Sequence, residues 1–298
     1  METLENLRKK LSAAKDIKAV VRAMKAMAAS NIAQYTTAVS SLGDYYQTIS
    51  LAIAAYLVQE KLHGIYDIEK VPKKDESSIH AIIFGSDQGL VGRFNNLMTD
   101  FVTQSFQGMP GKKEIWVIGE RVQVLLADSG LIAEKTFAVP NSIEVVTPLI
   151  GQILIEIEKV LGKSPNHVFY IFHNKPKAIA GYDQVIQRLL PFDEKWQNEF
   201  SKIQWPTKNT PQIVGKSKPA LLAFISGYLF VSLFKACAES LASENASRLE
   251  AMQRADKNIG NLLGSLGHKF HRLRQSSIDE ELFDVVSGFE ALKKKQGD

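Results

Sequence analysis

Residues 16–35 read DIKAVVRAMKAMAASNIAQY. Within them Val21, Ala28 and Tyr35 recur every seven residues, and so do Lys18, Lys25 and Ile32. Followed outward, the first series becomes Leu7, Ala14, Val21, Ala28, Tyr35, Leu42, Ile49 and Tyr56. The second becomes Leu4, Leu11, Lys18, Lys25, Ile32, Val39, Tyr46 and Ile53, and only its two lysines are polar. This three-four alternation, sustained over eight heptads, is the seam of a coiled coil. No proline interrupts it; the first in the chain is Pro72. A helix over about residues 3–58 would run roughly 80 Å, longer than a compact domain of this size is wide, and so is expected to project. At Lys18 and Lys25 the drift of a 3.6-residue helix against a 3.5-residue repeat is expected to shift the apolar stripe onto Ile17 and Met24. The basic side chains would then lie at the edge of the seam.

The other end of the chain behaves alike. Pro219 suits a first helical turn, and no proline follows it. Leu249, Met252, Asp256, Ile259, Leu263, Leu266, Phe270 and Leu273 keep the alternation, with Asp256 the one polar member. After Arg274 the phase slips to Ile278, Leu282, Val285, Phe289 and Leu292. A helix over 219–292 would be roughly 110 Å long. Gly260, Gly264 and Gly267 weaken its middle by about 1 kcal/mol each relative to alanine. Close approach of another helix is the expected reason for them.

Between these segments the pattern changes. IHAIIFG (79–85), EIWVIG (114–119), LIAEKTFAV (131–139), HVFYIFH (167–173) and QVIQRLLPF (184–192) read as strands. Residues 93–106, 120–130 and 144–162 read as helices. Alternating strand and helix predicts a small Rossmann-like α/β domain with a mainly parallel sheet. The polar stretch 193–218 reads as a linker. The expected organisation is a coiled-coil helix over 1–60, an α/β domain over 75–192, the linker, and a second coiled-coil helix over 219–298. The two terminal helices would pack as a long antiparallel coiled coil with the α/β domain between them.

Composition narrows the function. The 298 residues are 45% apolar and 23% charged, with a net charge of +4. That balance belongs to a soluble protein and argues against a dedicated nucleic-acid binder. Cys237 is the only cysteine, so no disulfide forms within the chain and a reducing compartment is expected. On its helical pattern it reads as a core thiol. Residues 1–10 are charged and lack the apolar run of a secretory signal. The uncharged run ALLAFISGYLFVSLF (220–234) falls short of the roughly 20 residues that span a bilayer. It reads as a buried helix, and no direct membrane span is expected.

No complete active site is legible. Gly85, Gly89 and Gly92 follow a strand and precede a helix, where a phosphate could sit. Their spacing fits neither dinucleotide nor P-loop fingerprints, so they read as turn glycines, with Asp87 a turn or cap residue. Of six histidines only His268 and His271 are closely spaced, a weak metal signal. Glu239 and Glu244 read as solvated or ion-paired. No catalytic residue, cofactor or metal is expected. More informative are Arg8, Lys9, Lys10, Lys15, Lys18, Arg22 and Lys25, opposed over residues 1–30 only by Glu2, Glu5 and Asp16. With Lys269, Arg272 and Arg274 they form basic clusters on helices too long for their own domain, which points to acidic partner surfaces.

Four stretches carry a resemblance. AMKAMAAS (23–30), SDQGLVGRFN (86–95), ESLASENASRLEAM (239–252) and RQSSIDEELFDVVSGFEAL (274–292) are similar, in order, to signatures of the gamma subunit of F-type ATP synthases. Departures include Gln88, Arg93, Asp279 and Phe289. DIKAVVRAMKAMAASNIAQY is closer to the divergent gamma subunits of alternative, sodium-translocating bacterial F-type ATPases. The resemblance implies a non-catalytic central rotor shaft that transmits torque between an ion-driven membrane ring and a catalytic ring. Implied partners are the alpha and beta subunits of the catalytic ring, the epsilon subunit and the membrane ring of c subunits. The implied location is the cytoplasmic face of the inner membrane, as a peripheral protein. Arg22, Met24, Lys25, Arg248, Arg274 and Gln275 are the implied contacts with the catalytic ring. A passive coiled-coil scaffold and a nucleotide-binding enzyme using the loop over 85–92 are the competing classes.

Overall fold

The computed structural model describes residues 3–63, 78–162, 167–177, 181–192, 200, 202–209 and 217–295. Their elements are α1 (Leu4–His63), β1 (Ser78–Phe84), α2 (Phe94–Gln107), β2 (Lys113–Ile118), α3 (Glu120–Asp128), β3 (Ala133–Phe137), α4 (Ile143–Leu161), β4 (His167–Pro176), β5 (Tyr182–Leu190) and α5 (Ser217–Lys295). The five expected strands and three expected internal helices all form. Most of the linker expected over 193–218 lies outside the described residues; its residues 203–209 are neither helix nor strand. Two compact units result, one of Met1–Met27 with Leu249–Asp298 and one of Ala28–Arg248.

In the first unit α1 and α5 run antiparallel. Lys25 pairs with Asp256, the Lys18 ammonium lies beside Gly260, and Leu7 shares a cavity with Leu273. Leu7, Ala14 and Val21 are buried. The expected shift of the stripe fails at Ile17, which is 55% exposed; Met24 is half-buried, and Lys18 and Lys25 keep their own half-buried heptad places. Their aliphatic stems cover the seam while their ammonium groups reach a carboxylate or the space above a glycine. The glycine expectation also needs correction. A side chain at Gly264 or Gly267 would meet nothing within 4 Å, so neither serves close contact within this unit. Ile278, Leu282 and Val285, the seam after the phase slip, are exposed.

The second unit is built on a five-stranded sheet of order β3-β2-β1-β4-β5. β1 pairs in parallel with β2 and β4, and β2 with β3, while β5 lies antiparallel to β4. Central β1 is apolar on both faces, as a strand covered on both sides must be. Ala81 and Ile83 face α2 and α3, packing with Met98, Val102, Val122 and Leu126. Ile82 and Phe84 face the other way, into a larger core shared with α4, α1 and α5. There Tyr35, Ile49 and Tyr56 continue the heptad as buried residues. The close approach of α1 and α5 falls at Gly227, where an added Cβ would stand 2.7 Å from Ile49 Cδ1. The uncharged run over 220–234 is a buried helix from Tyr228 onward, whereas Leu222 is exposed. By length and composition alone α5 is apolar enough to cross a membrane, with 44% of its most apolar window buried.

Candidate functional site

In open α/β sheets ligands bind outside the carboxyl ends of the strands, where strand order reverses. Here that place lies between β1 and β4, at the loop over 85–93. Its glycines pack rather than cradle. A Cβ on Gly85 would collide with Val122 at 2.1 Å. Gly119 takes φ +120 with its α-carbon against the Ser86 backbone, a conformation glycine tolerates. The Ser86 amide donates to Asn95 Oδ1 at 3.0 Å, and Asn95 Nδ2 returns a bond to Ser86 Oγ at 2.8 Å. Asp87 accepts from the Glu120 amide and the Val139 amide, each at 3.0 Å. One carboxylate thus caps α3 and ties the loop after β1 to the ends of β2 and β3. Asp87 is a cap, one of the two roles its position suggested.

The crevice itself is filled by α5. Residues 231–247 are buried almost all round, although they include Glu239, Ser240, Ser243, Glu244, Asn245 and Ser247. Buried polar groups need partners; Glu239, Ser243 and Ser247 find them in the sheet and loops, Glu244 and Asn245 find them on the helices, and Ser240 Oγ has no protein partner among the described residues. Glu239 Oε2 lies 2.9 Å from His173 Nε2 at the end of β4. The Ser243 hydroxyl is shared between Asn174 O at 3.0 Å and Glu239 O of its own helix at 2.8 Å, and that of Ser247 donates to Val91 O at 2.5 Å. These three residues stand at i, i+4 and i+8, one face of the helix. On the adjoining face Arg248 holds Glu244 at 2.6 Å, and Asn31 of α1 donates to Asn245 at 3.3 Å.

Burial governs the ionisable groups around them. It raises the Glu244 carboxyl, Arg248 opposing and Asp87 reinforcing the shift. It pushes the Tyr35 hydroxyl up to about 12, with Cys237 and Glu244 adding to the effect. It raises the Cys237 thiol, with help from Glu244, which makes that buried cysteine the core thiol expected rather than a nucleophile. Glu239 and Glu244 are only 7% and 5% exposed, so the solvated role does not hold for either; Glu244 is ion-paired with Arg248, and Glu239 hydrogen-bonds His173. The His173–Glu239 contact was not foreseen. The signal for it was the E-x-x-x-S-x-x-x-S spacing inside the quoted motif, together with a polar His-Asn pair closing an apolar strand.

The basic cluster belongs to the first unit. Lys25 Nζ lies 3.1 Å from Asp256 Oδ2. This hydrogen bond, with further help from the charges of Lys18 and Arg22, holds the Asp256 carboxyl below its usual range. Of the two polar exceptions in the α1 seam, Lys25 answers Asp256, the exception in the α5 seam, while Lys18 lies beside Gly260. Arg22, Arg274 and Gln275 are exposed and Met24 is half-buried. Arg248, in the second unit, is engaged with Glu244. Leu7, Lys269, Arg272, Leu273 and Ser276 line a cavity of about 290 Å³ in the first unit. Among the described residues no three His, Cys, Asp or Glu side chains are grouped to hold a metal, and His268 and His271 are exposed.

A family model described as ATP synthase matches residues 3–292. The ATP synthase gamma chain of Syntrophus aciditrophicus (strain SB) is 25% identical over 316 residues, covering 99% of this chain and 100% of that one. The ATP synthase gamma chain of Buchnera aphidicola subsp. Schizaphis graminum is 27% identical, covering 98% and 99%. The fold is shared with a chain of the Euglena gracilis mitochondrial ATP synthase rotor, at TM-score 0.60 and 17% identity, covering 92% of this chain and 98% of that one. It is shared also with a chain of the Tetrahymena thermophila mitochondrial ATP synthase central stalk and c-ring, at TM-score 0.54 and 21% identity, covering 79% and 99%.

Proposed function

The chain belongs to the ATP synthase gamma-chain family, and from that membership we propose that it transmits torque between an ion-driven membrane ring and the catalytic ring. As a gamma chain it is a non-catalytic subunit of the central stalk. The observation that carries the proposal is the match over residues 3–292, which takes in both terminal helices as well as the sheet. The filled crevice supports it: α5 and its buried polar bonds occupy the place where an α/β enzyme of this topology would take a nucleotide.

In this reading the alpha and beta subunits surround the helices, and the epsilon subunit and the membrane ring of c subunits bind the same chain. The complex sits on the cytoplasmic face of the inner membrane, with this chain peripheral to it. Exposed Arg22, Arg274 and Gln275 meet the catalytic ring directly. Met24, Lys25 and Arg248 act beside them, the last two while held by Asp256 and Glu244. The four-part division into 1–60, 75–192, 193–218 and 219–298 is kept as the functional one. The resemblance of residues 16–35 to gamma subunits of sodium-translocating F-type ATPases favours sodium as the coupled ion, and replacing sodium by potassium in an assay of ion pumping by the complex in vesicles tests that choice.

The test is ATP-driven rotation. A bead attached to the α/β domain of this chain, assembled with alpha and beta subunits fixed to a surface, should turn in steps on addition of ATP. A stable assembly that hydrolyses ATP while the bead stays still would sink the proposal. ATP hydrolysis by the isolated chain would favour the nucleotide-enzyme reading instead.

A further inference from the structure

Apolar packing holds α5 on the sheet: between Val231 and Ala242 the buried apolar side chains are Val231, Leu233, Phe234, Cys237 and Leu241, with the small Ala236, Ala238 and Ala242 among them. Directional bonds add a stricter constraint on a slide of one turn, about 5.4 Å, or on a rotation about the helix axis. Glu239, Ser243 and Ser247 span roughly 12 Å of one helix face and meet His173, Asn174 O and Val91 O in turn. A slide of one turn in one direction would bring the Glu239 carboxylate against the Asn174 carbonyl and Lys235 against His173. The opposite slide would leave Ala251 facing Val91 O and remove Glu239 from its histidine. Either leaves buried polar groups unpaired, which the packed interior penalises.

We infer that Glu239, Ser243 and Ser247 are positioning residues that fix the axial and rotational setting of α5 on the sheet, so that torque entering through the α/β domain reaches the helix without slip. The inference rests on the rotor reading and adds to it the residues that form the joint. His173 and the backbone carbonyls of Asn174 and Val91 are the fixed side of that joint. All six groups lie within the unit Ala28–Arg248, so the joint is complete there. Using polar groups to select one register among several apolar ones is a documented role for buried polar residues.

The test uses the full complex in vesicles and reads ions pumped per ATP hydrolysed, beside the melting temperature of the same preparation. Glu239→Leu and the pair Ser243→Ala with Ser247→Ala should lower the pumping ratio several-fold. Glu239→Gln, whose side chain still hydrogen-bonds the imidazole, should keep the ratio near that of the wild type. Leu241→Val, an apolar change in the same helix, should lower the melting temperature comparably and leave the ratio unchanged. If the ratio follows the melting temperature whichever residue is altered, the stripe is ordinary structure and the inference falls. A complex depleted of this chain that pumps as well as one containing it would overturn the rotor reading, and the inference with it.

Discussion

His80 gives the sharpest handle on stability. Its ring is fully buried at the start of β1, stacked on Phe169 at 4.6 Å and edge-on to Trp116 at 5.6 Å. Nε2 meets His167 Nδ1 at 2.9 Å, and Nδ1 stands 3.4 Å from Glu114 Oε2. Burial disfavours the cation more than Glu114 favours it, while His167, Lys112 and Lys135 oppose it further, so the imidazole is lowered to about 4 from its usual 6.5. The folded chain therefore holds this histidine neutral where the unfolded chain would protonate it. Because the unfolded state then binds more protons, stability falls as pH drops through the window from about 6.5 to 4. At 1.36 kcal/mol per pH unit, the full effect is about 3 kcal/mol. His80→Phe keeps the stacking and removes the titration. Urea unfolding followed by tryptophan fluorescence at pH 7.5 and pH 4.5 should show the wild type losing about 2–3 kcal/mol more than the variant between the two conditions. Equal losses would refute the assignment, as would a wild type whose midpoint does not move.

Three further outcomes follow from the same structure. Asp87→Ala leaves two amides without their acceptor and should cost about 2–3 kcal/mol by the same urea assay, whereas a change within error would mean that water replaces the carboxylate. Gly264→Ala and Gly267→Ala have open space and helical backbone, so each should stabilise the first unit by about 1 kcal/mol, read as slower hydrogen exchange over residues 256–270; faster exchange would reveal a steric constraint the geometry does not show. Arg274→Ala removes an exposed guanidinium and should slow ATP turnover of the assembled complex while leaving its assembly intact on a sizing column. Unchanged turnover would remove Arg274 from the contact surface.

The periodic parts of this fold were legible because one physical cause wrote them. Leu7, Ala14, Val21, Ala28 and Tyr35 are buried as their spacing required, and the strands were marked by unbroken apolar runs. What the sequence concealed was cooperation between distant residues. Lys25 and Asp256 each looked like a flaw in its own seam, 231 positions apart, and only the pairing turns two flaws into one contact. The drift of a 3.6-residue helix against the heptad points to Ile17 for the stripe, but Lys18 keeps its seam place beside Gly260 and Lys25 keeps its own against Asp256. The glycines over 260–267 drew attention, whereas the close approach falls at Gly227, inside a run whose apolar neighbours masked it. Within the candidate site the glutamates were visible, but their burial depended on which helix would close the crevice, and that is a property of the whole chain.

The closing of that crevice has a bearing on synthesis. One face of the sheet is covered partly by α1, which leaves the ribosome first, and partly by α5, which leaves it last. At 5–20 residues per second, the 79 residues of α5 take roughly 4–16 s to make. Through that interval Ile82, Phe84, Trp116 and Phe169 lack part of their cover, and Asn174 O and Val91 O lack their hydroxyl donors. A nascent chain of this design matures only at its end, so a message truncated anywhere before α5 yields a sticky product rather than a smaller working one. Quality control can then act on a single criterion, whether the last helix has arrived.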